Sequence, residues 1–383
     1  MHPRTDLPAG TLVVGVLGAG QLARMMAEAA SALGVQFKVF AQSSSESAAL
    51  VAADTVVGEL TDLTALLKFA QSVDVITLDH ELVPPATLTH LTTSGIKVYP
   101  SSSAIEFAAD KSAMRAKLQQ LNAPMPNWLT ATDSVAASEF ANKVGYPLIA
   151  KSPRGGYDGR AVWVVNDADE LAQLSYPVLL EEKVKFQREL SALVVRSPHN
   201  QAVAYPIVET VQQNGICTQV LAPAPDLNEE RASQAQQLAL KIAAELDVIG
   251  VLAVELFDTG SGALLVNELA MRPHNSGHWT QDGAVTSQFE NHLRAVLDLP
   301  LGSPAMTASK VVMGNILGGE HHDLHRGLLH CLARDPELKV HLYGKEVKPN
   351  RKVGHINLVG SDLTDLQQRI AHATDFLAGK IDE

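Results

Sequence analysis

The chain has 383 residues, of which 46% are hydrophobic, and carries 30 Lys and Arg against 42 Asp and Glu, a formal net charge of −12. Its length predicts two or three domains, and its negative charge disfavours non-specific binding to nucleic acids or membrane surfaces. No uncharged run reaches the roughly 18 residues that a membrane span requires, so we expect a cytoplasmic protein. Cys217 and Cys331 are too few and too far apart for a disulfide framework.

The first hundred residues alternate between strand and helix patterns. Strands are predicted over 12–17, 37–40, 56–57, 75–78 and 96–98, and helices over 21–33, 62–70 and 84–91. Short apolar runs separated by helices are typical of βαβ units. We therefore expect a Rossmann-like parallel sheet within residues 1–105.

A glycine-rich turn, Gly18-Ala-Gly-Gln-Leu-Ala23, joins the first strand to the first helix. Such turns bring backbone amides close to a phosphate. A dinucleotide site would also need an acid at the end of the second strand, which instead reads Phe40-Ala-Gln-Ser-Ser-Ser. NAD is therefore disfavoured, and a phosphate-bearing substrate and a purely structural turn both stay open.

The rest of the chain predicts an α+β domain over 106–303 and a small β-rich domain over 304–383. A helix over 103–121, capped by Ser102 or Ser103, leads to the break Asn122-Ala-Pro-Met-Pro-Asn. Further helices are predicted over 135–144, 167–174, 229–246 and 285–297. Strands are predicted over 148–151, 161–165, 178–184, 190–195, 311–317, 340–343 and 353–358. The histidine-rich run from Glu320 to His330 reads as a solvated surface loop.

Two acids, Glu255 and Glu268, lie on the arms of a predicted β-hairpin that turns near position 261 or 262. They should face each other with Cβ atoms roughly 5 Å apart. The alternative is a solvent-facing strand pair whose two acids are simply hydrated. The sequence that follows, from Arg272 to Thr280, favours a cation site instead, and oxygen ligands with Asn267 beside them suit Mg²⁺ better than Zn²⁺.

Two further segments predict nucleotide binding. A strand ends at Lys151 and is followed by a loop with three glycines and two arginines, which could cover a phosphate; a flexible surface hairpin is the alternative. The run from Val178 to Val194 leaves and re-enters a strand, where backbone groups could read an adenine ring. Glu181 and Glu189 are placed to hold ribose hydroxyls.

The order of these motifs resembles the ATP-grasp superfamily. Within it, four segments are similar to the N5-carboxyaminoimidazole ribonucleotide synthetases of purine biosynthesis, which include the ATPase subunit of phosphoribosylaminoimidazole carboxylase: residues 17–25, 155–160, 267–280 and 351–357. The resemblance spans nearly the whole chain. It implies that ATP phosphorylates bicarbonate and that the carboxyphosphate, or CO₂ released from it, carboxylates the exocyclic amine of 5-aminoimidazole ribonucleotide.

The resemblance also implies residue roles at the nucleotide. Lys111 and Lys151 would contact ATP phosphates under a closing loop of Gly156, Tyr157, Asp158, Gly159 and Arg160, with Tyr157 and Asp158 also reaching the ribonucleotide. Adenine would be framed by Glu181, Glu182, Lys183 and Val184, with Glu189 on the ribose and Gln212 near the nucleotide. Glu255 and Glu268 would ligate Mg²⁺, or Mn²⁺ in its place, assisted by Asn267. A homodimer is the family expectation.

For the other substrates, Arg272 can hold bicarbonate through two hydrogen bonds from its guanidinium. His274 would direct proton transfer around the amine, with Asn275 beside it. A purely structural imidazole is the alternative for His274. The ribonucleotide phosphate is assigned to Lys345, Arg351 and Lys352 with the turn Gly20, Gln21 and Leu22, unless this basic loop is simply solvated. Asp79 and Glu81 could accept hydrogen bonds from ribose hydroxyls.

The chain departs from the family pattern in places. Ala23 and Ala161 stand where glycine is common, and Asp79-His-Glu81-Leu-Val-Pro replaces Glu-Phe-Glu-Asn-Val-Pro, which makes the substrate contact of Asp79 less secure. The competing functions are a different ATP-grasp ligase, a formate-using transformylase relative, a dehydrogenase suggested by the glycine turn, and a non-catalytic ATP-binding regulator.

Overall fold

The computed structural model describes residues 8–155, 161–260 and 262–381, which fold around three β-sheets. The N-terminal sheet is parallel, as predicted, with strand order β3-β2-β1-β4. Its elements are β1 (Val13–Leu17), α1 (Gln21–Ala32), β2 (Gln36–Ala41), β3 (Asp54–Val57), α2 (Leu63–Ala70), β4 (Val75–Leu78) and α3 (Pro85–Thr93). The strand predicted over 96–98 is reduced to one isolated bridge between Val98 and Ile76.

The helix predicted over 103–121 is in fact two helices, α4 (Ser102–Ala109) and α5 (Lys111–Gln120). Asp110 separates them because its backbone is extended and its carboxylate accepts a hydrogen bond from the Ala113 amide, which caps α5. The cap of α4 is Ser101 and not Ser102 or Ser103 as predicted. The break brings Lys111 to the first position of a helix.

A small antiparallel sheet follows, with strand order β5-β8-β6-β7. Its elements are β5 (Trp128–Ala131), α6 (Ser134–Val144), β6 (Leu148–Lys151), β7 (Val162–Val165), α7 (Ala168–Leu171) and β8 (Val178–Glu182). The sequence did not predict β5, and β8 ends two residues before the predicted position 184.

The third sheet has nine strands, with the path β14-β13-β9-β11-β12-β15-β17-β16 and β10 paired to β9. Its strands and helices are β9 (Arg188–Arg196), β10 (Ala202–Ala204), β11 (Val208–Gln213), β12 (Ile216–Ala222), α8 (Glu229–Glu245), β13 (Gly250–Asp258), β14 (Leu264–Ala270), α9 (Thr280–Gly283), α10 (Gln288–Val296), β15 (Lys310–Leu317), α11 (Leu324–Arg334), β16 (Lys339–Leu342), β17 (Lys352–Gly360) and α12 (Leu363–Leu377). The three C-terminal strands therefore extend the central sheet through the β12–β15 pairing.

The C-terminal segment also contains two helices that the sequence analysis did not predict, α11 and α12. The run from Glu320 to His330 is therefore not simply a loop, because α11 begins at Leu324. His322 and His325 are exposed, whereas the ring of His330 stacks on Phe376 of α12 with centroids 4.0 Å apart. Packing of these two helices forms part of a buried apolar cluster that includes Cys331 of α11 and Ile370 of α12.

Helix α10 connects the central sheet to the N-terminal sheet. Its buried Phe289, Leu293 and Val296 belong to one apolar cluster with Met25 and Met26 of α1. Polar contacts supplement this packing, since His292 Nε2 lies 2.8 Å from Thr77 Oγ1 of β4. Helix α10 thus holds the N-terminal and central sheets together. No helix in the described parts of the chain is long and apolar enough to cross a membrane.

Candidate functional site

Glu255 and Glu268 lie directly opposite each other on β13 and β14. Strand β9 flanks β13 on its other side and places Ser191 opposite Glu255. Directly opposed residues of antiparallel strands project to the same face. Glu268, Glu255 and Ser191 therefore form one row across three strands, which we call the acid row. The pairing confirms the register predicted from the sequence.

The carboxyl group of Glu255 resists ionisation in this row. Burial, together with repulsion from Glu268 and Glu189, raises the pKa of Glu255 to about 8, against the opposing effect of Lys352 and Lys151. A divalent cation between the two acids would offset this repulsion. A cation bound between the two acids would therefore favour the ionised form of Glu255.

The available ligand atoms are the carboxylate oxygens of the two acids and the amide oxygen of Asn267, a set that suits Mg²⁺. Across residues 8–155, 161–260 and 262–381, no group of three or more His, Cys, Asp or Glu side chains could hold a metal ion. The acids would therefore hold an ion together with oxygens of a bound phosphate. This role of Glu255 and Glu268 stays a prediction.

Two lysines reach this acid pair and its neighbour Asn267. Lys151 Nζ, at the end of β6, lies 3.2 Å from Asn267 Oδ1. Lys111 Nζ, at the start of α5, donates to the Gly155 carbonyl at 3.1 Å and lies 3.7 Å from Glu268 Oε1. Two mostly buried cations beside two acids form a site where phosphate charge and metal charge can balance.

A buried ion pair that the sequence analysis missed supports this arrangement. The Arg115 side chain is fully buried; its Nε donates to Glu181 Oε1 at 2.6 Å, and its terminal nitrogens donate to the carbonyls of Val266 and Asn267. Burial alone would raise the pKa of Glu181, but the positive charges of Arg115 and Lys151 outweigh it and lower that pKa. The Lys111–Arg115 spacing of four residues, which places both on one helix face, was the available signal.

The Glu181 side chain therefore already has two cationic partners, with Lys151 Nζ 2.8 Å from its Oε2. The prediction that Glu181 frames adenine can then apply to its backbone, while its carboxylate orients Lys151. Glu182 accepts a hydrogen bond from Asn127 Nδ2 at 2.6 Å. Lys183 and Val184 follow the end of β8, where the chain has left the ladder.

Glu189 and Gln212 lie on adjacent strands, β9 and β11. Glu189 is half-buried, and burial raises its pKa, with Lys151 acting in the opposite direction. A β-bulge falls between Val211 and Gln212 in the pairing with β12. Bulges re-aim side chains at functional edges. These positions are compatible with a nucleotide beside the acid row, and their contacts stay predictions.

The segment after β14 carries Arg272, His274 and Asn275. Arg272 Nε donates to Glu81 Oε2 at 2.6 Å, which links the central sheet to the loop after β4. His274 Nε2 lies 3.3 Å from Glu255 Oε1, and burial, followed by the charges of Arg272 and Lys352, lowers the pKa of His274 to about 3. His274 is therefore neutral near pH 7.

The side chain of Asn275 is bonded to β15, because its amide group pairs reciprocally with that of Asn315 at 2.9 and 2.8 Å. Asn315 is buried and also donates to the Cys217 carbonyl at 2.8 Å. Asn275 thus anchors the loop that carries His274. Its predicted catalytic role stays a prediction.

Asp79, which is predicted to contact the substrate, binds backbone amides of the glycine-rich turn. Its Oδ2 accepts a hydrogen bond from the Gly20 amide at 2.9 Å, and its Oδ1 accepts one from the Ala23 amide at 2.8 Å. Helix α1 has no side-chain cap of its own, so Asp79 satisfies its exposed N–H groups and its dipole. A Cβ on Gly20 would lie 2.4 Å from Asp79 Oδ2, which explains the glycine.

The start of α1 is therefore occupied by a carboxylate and is not open to a phosphate through Gly20. Leu22 is buried in the N-terminal core. Gln21 differs, because its Oε1 accepts a hydrogen bond from Lys345 Nζ of the basic loop. Of the residues predicted to bind the ribonucleotide phosphate, Gln21 and Lys345 are brought together, and the roles of Gly20 and Leu22 stay predictions.

The remaining basic residues lie close by in the chain. Arg351 is exposed and donates to the Glu346 carbonyl at 3.3 Å, and Lys352 begins β17. Lys352 acts electrostatically on both Glu255 and His274, lowering the pKa of each. The basic loop is thus electrostatically connected to the acid row.

The predicted closing loop, Gly156, Tyr157, Asp158, Gly159 and Arg160, lies outside the described residues. Before it, Arg154 pairs with Glu106 and Asp110 of the α4–α5 region. After it, Ala161 has a φ of 59°, a backbone region that favours glycine. The conformation explains why glycine would be the easier residue at this position.

Three family models match consecutive parts of the chain. A ribonucleotide synthetase preATP-grasp domain matches residues 12–109, an ATP-grasp domain matches 116–289, and a phosphoribosylaminoimidazole carboxylase C-terminal domain matches 311–369. The three matches follow the order predicted from the sequence motifs, and together they cover most of the chain.

Two relatives named N5-carboxyaminoimidazole ribonucleotide synthase match nearly the full length. The protein of Mycobacterium bovis is 48% identical over 376 residues, covering 96% of this chain and 88% of its own. That of Corynebacterium ammoniagenes is 42% identical over 389 residues, covering 98% and 94%.

Solved structures agree with these matches. The N5-carboxyaminoimidazole ribonucleotide synthetase of Thermus thermophilus is 37% identical, with a TM-score of 0.87 and coverage of 97% of this chain and 99% of its own. The Aspergillus clavatus enzyme in complex with ADP and 5-aminoimidazole ribonucleotide is 33% identical, with a TM-score of 0.88 and the same coverage. The chain therefore belongs to the N5-carboxyaminoimidazole ribonucleotide synthase family of ATP-grasp enzymes.

Proposed function

We propose that this chain uses ATP and bicarbonate to carboxylate 5-aminoimidazole ribonucleotide, giving N5-carboxyaminoimidazole ribonucleotide, ADP and phosphate in de novo purine biosynthesis. The observation that carries the proposal is the facing pair Glu255 and Glu268 with Lys111 and Lys151 beside it. Phosphoryl transfer depends on positioning and charge neutralisation more than on a protein nucleophile. This cluster supplies both.

Lys111 and Lys151 would bind the ATP phosphates, because both ammonium groups are mostly buried beside the acid row. The backbone of Glu181, Glu182, Lys183 and Val184 would frame adenine where β8 ends. Glu189 would hold the ribose, and Gln212 would lie near the nucleotide. The Arg115–Glu181 pair would keep Lys151 in place, since it fixes the carboxylate to which Lys151 is bonded.

Mg²⁺, or Mn²⁺ in its place, would be held by Glu255 and Glu268 with Asn267 beside them. The raised pKa of Glu255 and the all-oxygen donor set fit such an ion. When bound, the ion would neutralise charge on the phosphates during transfer. The protein's own contribution is to hold the two acids in register and to surround them with cations.

Arg272 would hold bicarbonate, with Glu81 orienting its guanidinium through the 2.6 Å ion pair. A bicarbonate oxygen would attack the γ-phosphorus as ADP leaves, giving carboxyphosphate. The amine of the ribonucleotide would then form the C–N bond with the carboxyphosphate carbon, or with CO₂ released from it, and the departing phosphate would take up the amine proton. His274 would hold its hydrogen bond to Glu255 during these steps. The ribonucleotide phosphate would be bound by Gln21, Lys345, Arg351 and Lys352.

The test is ADP formation by the purified protein with each substrate omitted in turn. We expect ADP release to require both 5-aminoimidazole ribonucleotide and bicarbonate, and Glu268→Ala to abolish it. Glu245→Ala, at an exposed position at the end of α8, is the matched control and should retain full activity. Turnover with formate in place of bicarbonate, or unchanged ADP release by Glu268→Ala, would contradict the proposal.

We also propose the domain boundaries 1–105, 106–303 and 304–383, a homodimer and a cytoplasmic location. Limited proteolysis should cleave near residues 105 and 303 if the boundaries are right. Sedimentation velocity should give twice the chain mass if the homodimer is right. Fractionation of the native cells tests the location.

A further inference from the structure

Both ring nitrogens of His274 have defined neighbours. Nδ1 lies 2.8 Å from Ser276 Oγ and also accepts a hydrogen bond from the Ser276 backbone amide at 3.3 Å. Nε2 lies 3.3 Å from Glu255 Oε1. The ring is thus held between a serine of its own loop and one acid of the facing pair.

The backbone amide decides which nitrogen carries the proton. An N–H group can only donate, so Nδ1 must present a lone pair to the Ser276 amide, and a neutral imidazole then carries its proton on Nε2. The Ser276 hydroxyl can donate to the same lone pair, and Ser191 Oγ lies 2.7 Å from Ser276 Oγ. The opposite tautomer would place Nδ1–H against the amide N–H.

The serines are built into the sheet and the loop. Ser191 and Ser276 are almost completely buried, and Ser191 is the cross-strand neighbour of Glu255. Serine, serine, imidazole and acid therefore form a chain of contacts that begins and ends in one row of the sheet. Buried hydroxyls of this kind need partners, so the direction of each hydrogen bond is constrained by the next.

The backbone of His274 is held as well. Gln288 Oε1 accepts a hydrogen bond from the His274 amide at 2.9 Å, and Gln288 Nε2 donates to the His274 carbonyl at 2.8 Å. Gln288 is fully buried on the first turn of α10. The two bonds fix the loop that carries the imidazole, which leaves the Ser276 amide to set the tautomer.

We propose that Ser276 is a positioning residue whose backbone amide fixes His274 as the Nε2–H tautomer, so that the ring donates a hydrogen bond to Glu255. This rests on the proposed function, in which Glu255 is a metal ligand and His274 borders the bicarbonate site. A donor at this position orients the carboxylate of Glu255 for its ion. In this tautomer Nε2 cannot take a proton from the substrate amine, which narrows the role predicted from the sequence.

The tautomer is measured directly by ¹⁵N NMR of the ligand-free protein labelled at histidine, with His274→Asn to assign the signals. We expect a protonated Nε2 and an unprotonated Nδ1 for His274. Ser276→Ala keeps the backbone amide and loses the hydroxyl, so it should retain this tautomer and shift the Nδ1 signal. Ser197→Ala, which removes another buried serine just beyond β9, should leave the His274 signals unchanged. A protonated Nδ1 in the native protein or in Ser276→Ala would overturn the proposal.

Steady-state kinetics supply a second test. The amide N–H of a glutamine reaches the Nε2 position and can donate but cannot take a proton, whereas asparagine reaches only the Nδ1 position. A hydrogen bond to a charged group corresponds to about 10- to 100-fold in rate, so His274→Gln should retain that much more kcat/KM than His274→Asn. Equal losses in the two variants would refute the donor role.

The two experiments separate this inference from the proposed function. The NMR measurement needs no substrate, so a protein without bicarbonate-dependent turnover would still report its tautomer. Conversely, normal turnover with a protonated Nδ1 would retain the function and reject the positioning role of Ser276.

Discussion

Removal of Arg115 tests whether the buried ion pair stabilises the nucleotide site. Arg115→Met would leave the Glu181 carboxylate buried with Lys151 as its remaining charged partner, and would remove the donors to the Val266 and Asn267 carbonyls. Loss of one partner of a buried pair costs about 3–5 kcal/mol. Because Lys151 still compensates part of the charge, we expect the free energy of unfolding to fall by about 4 kcal/mol.

Urea unfolding followed by tryptophan fluorescence measures this change, since Trp128 is the cross-strand partner of Glu181. Arg294→Met is the control, because Arg294 pairs with Glu290 at the surface of α10, where such pairs contribute about 1 kcal/mol or less. A loss in Arg115→Met no larger than that in Arg294→Met would refute the reasoning.

The loss of stability in Arg115→Met should also depend on pH. The pKa of Glu181 is lowered in the folded protein from its ordinary 4.5, so its stabilising contribution is present above that value and is lost as pH falls through the folded pKa. The difference in stability between the native chain and Arg115→Met should therefore narrow below pH 4.5. A difference that is constant with pH would mean that Arg115 acts through packing alone.

Three further predictions concern stability and substrate binding. His292 accepts a hydrogen bond from the Val251 amide, and burial lowers the pKa of His292 from 6.5 to about 3, so its stabilising contribution is present above pH 6.5 and falls as pH drops. Acidification from pH 7 to 5.5 should therefore lower the free energy of unfolding by about 1.2 kcal/mol, measured by urea titration at the two pH values. His292→Asn, which offers an amide oxygen to the same N–H, should abolish this pH dependence. Phe289→Ala should lower the free energy of unfolding by about 3–5 kcal/mol, because it opens the packing between α10 and α1; a loss under 1 kcal/mol in calorimetry or urea unfolding would contradict that packing. Arg351→Ala should raise KM for the ribonucleotide about tenfold, equivalent to about 1.4 kcal/mol, without changing KM for ATP. The exposed control Lys348→Ala should change neither constant. An equal rise in both constants for Arg351→Ala would contradict a contact with the ribonucleotide phosphate.

Local patterns predicted much of the architecture. The alternation of strands and helices predicted the parallel N-terminal sheet, and the two apolar arms around one turn predicted the opposition of Glu255 and Glu268. Both features follow from periodicity over short stretches, since register is set by which residues of adjacent arms are apolar. The order of the motifs was also sufficient to predict the family.

Other features depend on contacts between residues far apart in the chain. Asp79 caps α1 from the end of β4, and Arg115 meets Glu181 across 66 positions. The C-terminal strands join the central sheet through the β12–β15 pairing, which no local pattern specifies. Each of these contacts follows from how the three sheets pack.

The sequence by itself therefore determined which residue types are available, which helices and strands carry them, and which two acids face each other. The tertiary structure decided which charges are neutralised before any ligand arrives. Asp79 is bound to backbone amides, Glu181 to Arg115 and Lys151, and Glu81 to Arg272. The physical reason is that burial makes an unpaired charge costly, so packing selects the partners, and those partners lie in segments that the chain brings together only on folding.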